Sequence, residues 1–331
     1  MDENQTHALD ELPNAIVSAN TLGWLCITAY CLLTAFAAVW VSESFTRIDG
    51  ATLTFTTLLV AQLFFLSCAF LKKENILLFV LDNKSLIVKS NVLTLFSWYF
   101  MFLALQKVEA SVESALYQGI IPMTVLVCSA RAQGITLKRA LGPALTLLFL
   151  ALLAESRFSL AGMESSHTST IIQGIALALI AGATAGLYVH VTGAAHRQWG
   201  ATLLQVLTTR FVLLLVVTGF LGHEQFALVV SNENGLAWKL MFLALSIVVL
   251  PVLFLQTSIK NLGASRVSVM TPLVPALALA AEFVINPWGH ITTPILVLMV
   301  CLSVIISNVW LNHSDRPGPV ETQLREEGSS R

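Results

Sequence analysis

Three charged side chains lie well inside long apolar runs of the chain, away from their ends: Glu113, Arg210 and Glu282. A charge near the centre of a bilayer costs about 3 kcal/mol or more on insertion scales, so an ionisable residue retained there is a candidate for function. Arg210, about ten residues into its run, offers a planar fork of donors suited to a carboxylate or a phosphate. Its structural alternative is a cation that bonds backbone carbonyls of neighbouring helices. Glu282 is a carboxyl suited to exchanging a proton against a cationic or zwitterionic substrate; a permanent pair with Arg210 or a hydrogen-bonded neutral carboxyl is the alternative. Glu113 sits about one turn into its run, where hydration at the outer surface competes with a role in binding.

Polar aromatic groups extend this set. Tyr30, Tyr99, Tyr117 and Tyr188 all fall within apolar runs, where each hydroxyl needs a hydrogen-bond partner from a polar cavity or another helix. Trp24, Trp40, Trp199, Trp238, Trp288 and Trp310 fall at or beside the ends of runs, as an interfacial belt requires, whereas Trp98 sits mid-run beside Tyr99. Gln118 follows Tyr117 and precedes Pro122, which makes it a further cavity contact. Cys26, Cys31, Cys68, Cys128 and Cys301 lie within apolar runs and read as small apolar residues. No HExxH, P-loop, GxSxG or CxxC pattern is present. No catalytic residue, metal site or cofactor is expected, and the chain reads as a non-enzyme.

What must position these groups is visible in the composition. The chain has 331 residues, 56% of them hydrophobic and only 11% charged, with a net charge of −1. A soluble domain carries about 25% charged residues, so an ordinary cytosolic enzyme and a disordered chain are excluded, and so is a nucleic-acid binder. Stretches of about 20 apolar residues are long enough to span a bilayer, and ten occur, at 21–41, 50–71, 87–106, 109–129, 138–154, 169–191, 201–221, 237–257, 264–285 and 291–311. Their continuity argues for helices over barrel strands. The polar stretch before the first run holds no Lys or Arg, so that run reads as a span and not as a signal peptide.

Alternate loops divide the basic residues thirteen to four, with Arg47, Lys107, Arg157 and Lys239 as the minority. The positive-inside rule then puts both termini in the cytoplasm. The organisation expected is a cytoplasmic tail at 1–20, five helices within 21–155, five more within 168–312 and a cytoplasmic tail at 313–331.

The two five-helix blocks resemble one another. Leu105 to Pro122 matches Ser258 to Pro275 at an offset of 153, pairing Lys107 with Lys260 and Pro122 with Pro275. An odd number of spans per block gives the halves opposite topology, and such inverted repeats are usual in secondary transporters, with substrate held near the midplane.

Phe102 to Pro122, through Ala104, Leu105, Lys107, Ala110 and Glu113, resembles the signature of the EamA-type branch of the drug/metabolite transporter superfamily. Gly174 to Gly193 is similar to the start of that family's second repeat, and Arg210-Phe211 to the Arg-Phe of its second span. Where the family carries Leu-Gly-Glu, this chain has Gly134-Ile135 and Gly289-His290. The resemblance implies an all-α integral membrane protein of ten helices in two inverted repeats, exporting or exchanging a small metabolite. The expectation is alternating-access export of a small polar metabolite, with protons as the candidate coupling ion. Exchange of sugar phosphates or nucleotide sugars is the alternative within transport, and a passive channel or scaffold the alternative of another class. Expected partners are the lipid bilayer, the small-molecule substrate and, as an open option, a second copy of the chain. A bacterial inner membrane is the expected location.

Overall fold

The computed structural model describes residues 3–133, 137–161, 168–199, 201–231, 235–262, 267, 269–285 and 291–314. The described residues form helices and no strand. In order these are α1 (Glu3–Ser44), α2 (Gly50–Leu71), α3 (Ile76–Asp82), α4 (Lys84–Leu105), α5 (Ala110–Gln133), α6 (Leu137–Ala161), α7 (Thr168–Trp199), α8 (Leu203–Thr209), α9 (Val212–Leu221), α10 (Phe226–Val230), α11 (Leu236–Ala244), α12 (Leu250–Leu262), α13 (Leu273–Ile285) and α14 (Thr292–Ser314). In lipid every backbone polar group must be bonded internally, which long apolar sequences achieve as helices.

Among the described residues nine segments are long and apolar enough to cross a membrane, and they coincide with nine of the ten expected runs. The chain is therefore a multi-pass membrane protein. The remaining run, 264–285, corresponds to α13, whose 13 residues are too few to count as a crossing by length alone. Within the segment expected as a cytoplasmic tail at 1–20, the chain is helical from Glu3 as part of α1. Gly134-Ile135, Gly289-His290 and most of the tail at 313–331 lie outside the described residues.

Turns are closed by side chains. Asp49 caps α2, its Oδ2 accepting from Ala51 N–H at 3.0 Å and Thr52 N–H at 3.1 Å. Gln106 Nε2 donates to the carbonyls of Phe45 and Ile48, both at 2.9 Å, tying the turn after α4 to the turn after α1. Thr202 and Gln205 form a capping box that starts α8.

In the bundle, α1 lies along α12 and α13, and α7 lies along α4 and α5. Helix α2 packs on α8, α9 and α11, and α4 packs on α9. The pairs α5–α13 and α6–α14 close the remaining side. Two of the glycines permit close approaches between helices. A Cβ on Gly23 of α1 would meet Leu262 Cγ at 2.6 Å, and one on Gly174 of α7 would meet Val108 Cγ1 at 2.7 Å. Large apolar side chains such as Phe70 (84% exposed), Phe220 (77%) and Val284 (83%) point outwards. In a soluble protein such a surface would be a liability; here it is the face that lipid covers.

Candidate functional site

The seventh apolar segment is not one helix. It is α8 and α9, interrupted at Arg210-Phe211, and four side chains explain the break. In an uninterrupted helix Leu213 N–H would bond the Thr209 carbonyl, four residues back. Instead Leu213 N–H donates to Asn91 Oδ1 at 3.0 Å, and Asn91 Nδ2 donates to the Thr209 carbonyl at 2.7 Å. One amide from α4 thus sits inside a single helical hydrogen bond and satisfies both of its halves. Gln62 Nε2, from α2, donates at 2.7 Å to the preceding carbonyl, that of Thr208. Thr208 and Thr209 also turn their hydroxyls back to the carbonyls of Leu204 and Gln205, each at 2.7 Å, a bond that bends helices.

The break presents Arg210. Its side chain is 8% exposed, and its guanidinium carbon lies 4.6 Å from the ring centroids of Tyr188 and Phe211 and 5.6 Å from that of Trp98. Cation–π attraction operates at these distances. Arg210 Nη1 donates to Tyr188 Oη at 3.1 Å, while Nε is buried with no partner. No carboxylate of the described residues pairs with it; the ion pair they form is Arg157–Glu109.

The other side of this site is α5. Tyr117 Oη shares a hydrogen bond with Ser97 Oγ at 3.2 Å, and Glu113 lies one helical turn before it on α5. Glu113 is 3% exposed; Oε2 accepts from Ser114 Oγ at 3.4 Å, and Oε1 is buried without a partner. The structure buries it, in contrast to the hydrated alternative. Arg210, Tyr188 and Trp98 thus form one contact group; Tyr117 joins it through Ser97, the neighbour of Trp98, Glu113 shares the Tyr117 face of α5, and Tyr30 packs on the core cluster that contains Phe211. Gln118 is half-buried beside Tyr117 on α5 and takes no part in these hydrogen bonds.

Glu282 and Tyr99 lie apart. Glu282 is three residues from the end of α13 and accepts from Ser111 N–H at 2.9 Å and Ser111 Oγ at 2.5 Å, one bond to each oxygen. It caps the start of α5 from another helix, where the helix dipole favours a negative charge. The pair with Arg210 that stood as one alternative does not form. Glu109 and Arg157 pair beside this junction, and Lys107 Nζ donates to Gln173 Oε1 at 3.2 Å. Tyr99 packs on Phe100 at 6.1 Å.

Sequence reasoning missed Asn91 and Gln62. A signal existed, because each is an amide within an apolar run, but a search for charges passes over neutral groups. A second irregularity was also missed. Leu245–Val249 is a π-helical turn between α11 and α12, directly before Pro251, and such turns often mark functional places. Among the described residues no group of three or more His, Cys, Asp or Glu could hold a metal ion.

No protein-family model matches the chain, and no curated protein matches its sequence. The centre has the parts for binding and releasing a polar molecule, a buried cation, a buried carboxyl and aromatic walls.

Proposed function

We propose that the chain is an EamA-like secondary transporter that moves a small polar metabolite by alternating access, in the direction of export. The observation that carries this reading is the interrupted α8–α9 segment with Arg210 at its break, buried and unpaired among rings from other helices. Discontinuous helices near the midplane are where secondary transporters bind cargo.

Ten spans in two inverted repeats are part of the proposal, with α13 as the ninth. The packing supports the repeat. If the first five apolar segments are exchanged in order for the last five, α1 on α12 and α13 becomes α7 on α4 and α5, and α2 on α11 becomes α9 on α4. The pairs α5–α13 and α6–α14 are each returned to themselves. Gly23 against Leu262 and Gly174 against Val108 are a matched pair of the same kind. The basic-residue asymmetry supports cytoplasmic termini in a bacterial inner membrane.

Protons are the proposed coupling ion, and Glu113 carries them better than Glu282, because an oxygen of Glu113 is unpartnered while Glu282 is engaged at the α5 cap. Exchange of sugar phosphates would want several buried cations, and among the described residues Arg210 is the one buried Lys or Arg.

Proteoliposomes loaded with an isotopically labelled metabolite extract and placed in an unlabelled one test the proposal. A small set of metabolites is expected to exchange with saturation and trans-stimulation. Unselective, non-saturating leakage would make the protein a channel, and no protein-dependent flux would make it a scaffold.

A further inference from the structure

We propose that the cargo carries a carboxylate, which Arg210 holds side-on through its Nε–H and Nη2–H. The inference deepens the transport reading and rests on it only in treating the bound anion as cargo.

The guanidinium is accounted for on every side but one. Tyr188, Phe211 and Trp98 crowd its faces, so a partner must approach in the guanidinium plane. Nη1 is taken by Tyr188 Oη at 3.1 Å. Nε is buried with no partner, and no hydrogen bond joins Nη2 to a described residue. Nε–H and Nη2–H are parallel donors on one edge, and the two oxygens of a carboxylate match them in a planar bidentate pair. An unpaired donor in a site this buried costs free energy unless a ligand completes it, and the protein supplies no carboxylate of its own among the described residues.

Charge selects between anions. A phosphate monoester carries about 1.5 to 2 negative charges at neutral pH, so a single guanidinium would leave it partly unneutralised. The buried Glu113, one helical turn before Tyr117 on α5, adds no cation that could balance a second negative charge. A carboxylate has one charge, which a single guanidinium balances. Asn91 and Gln62 hold the backbone on which Arg210 is mounted, so the edge keeps its aim without any contact between those amides and the cargo.

The test uses full-length protein in detergent with arginine labelled at Nε with nitrogen-15. The Arg210 resonance is assigned by its loss in Arg210→Lys, with Arg210→Gln as the second variant should the first fail to fold. Acetate is titrated as the smallest carboxylate, with acetamide as its neutral twin and inorganic phosphate and chloride at matched ionic strength. The expected result is a saturable shift of the Arg210 signal with acetate and none with the other three. A shift of equal size with phosphate or chloride overturns the assignment, and so does the absence of any shift with acetate. The exchange assay separates the two readings. Exchange confined to metabolites without a carboxylate would remove this inference and leave transport standing. An acetate shift without metabolite exchange would leave the binding edge and remove transport.

Discussion

Two regions of the bundle bury charge and treat it in opposite ways. At the start of α5, Glu282 gives one oxygen to Ser111 N–H and the other to Ser111 Oγ, and beside it Glu109 is paired with Arg157. At the α8–α9 break, Arg210 keeps Nε without a partner, and Glu113 keeps Oε1 without one. Burial alone does not separate them, because Glu282 is 7% exposed, Arg210 8% and Glu113 3%. Completeness of partners does. Satisfied charges join helices; unsatisfied ones in the same apolar medium cost stability, and a site that retains them has another use for them.

The comparison can be broken at its functional end first. Arg210→Gln should lower exchange by about a hundredfold or more, since losing one partner of a buried, charge-assisted pair costs about 3 kcal/mol. The same variant should unfold no more easily than the natural protein, because it removes a buried charge that no carboxylate of the described residues balances. A loss of stability with exchange intact would show Arg210 to be structural.

Glu282→Ala should do the reverse, costing about 1 to 3 kcal/mol of stability by leaving the cap of α5 unpaired. The apparent affinity for cargo should stay unchanged. Denaturant unfolding in detergent, run beside exchange, reads both quantities; a change in affinity at unchanged stability contradicts the assignment.

Asn91→Leu sharpens the account of how Arg210 is aimed. With the amide gone, Leu213 N–H is free to bond the Thr209 carbonyl directly and close the helix. Exchange should fall about tenfold, or about 1.4 kcal/mol, while the fold is retained. Unaltered exchange would mean that the break does not position the cation. The smallest expected effect is that of Glu113→Gln. It should leave exchange measurable but abolish its dependence on a proton gradient, and a gradient dependence that persists would take Glu113 out of the coupling.

The spans were legible because an apolar run about 20 residues long has few alternatives in a membrane chain. The joining of Arg210, Trp98, Tyr117 and Tyr188 was legible only as a list, since their residue types mark them but not their contacts. The role of Glu282 was not legible, because its partner is the backbone and hydroxyl of Ser111, 171 residues away. The break at Arg210-Phe211 was hidden for a related reason. Val-Leu-Thr-Thr-Arg-Phe-Val-Leu reads as continuous helix, and the amides that interrupt it belong to α2 and α4. Hydrophobicity reports where a helix runs, while its interruption is decided by polar atoms brought from elsewhere in the chain.

The most direct measurement is trans-stimulated metabolite exchange in proteoliposomes, run side by side for the natural protein, Arg210→Lys and Glu282→Gln. The account predicts saturable exchange in the natural protein, its loss in Arg210→Lys, where a point charge replaces the planar fork, and its retention in Glu282→Gln. Exchange that survives in Arg210→Lys, or flux that never saturates in the natural protein, would contradict it.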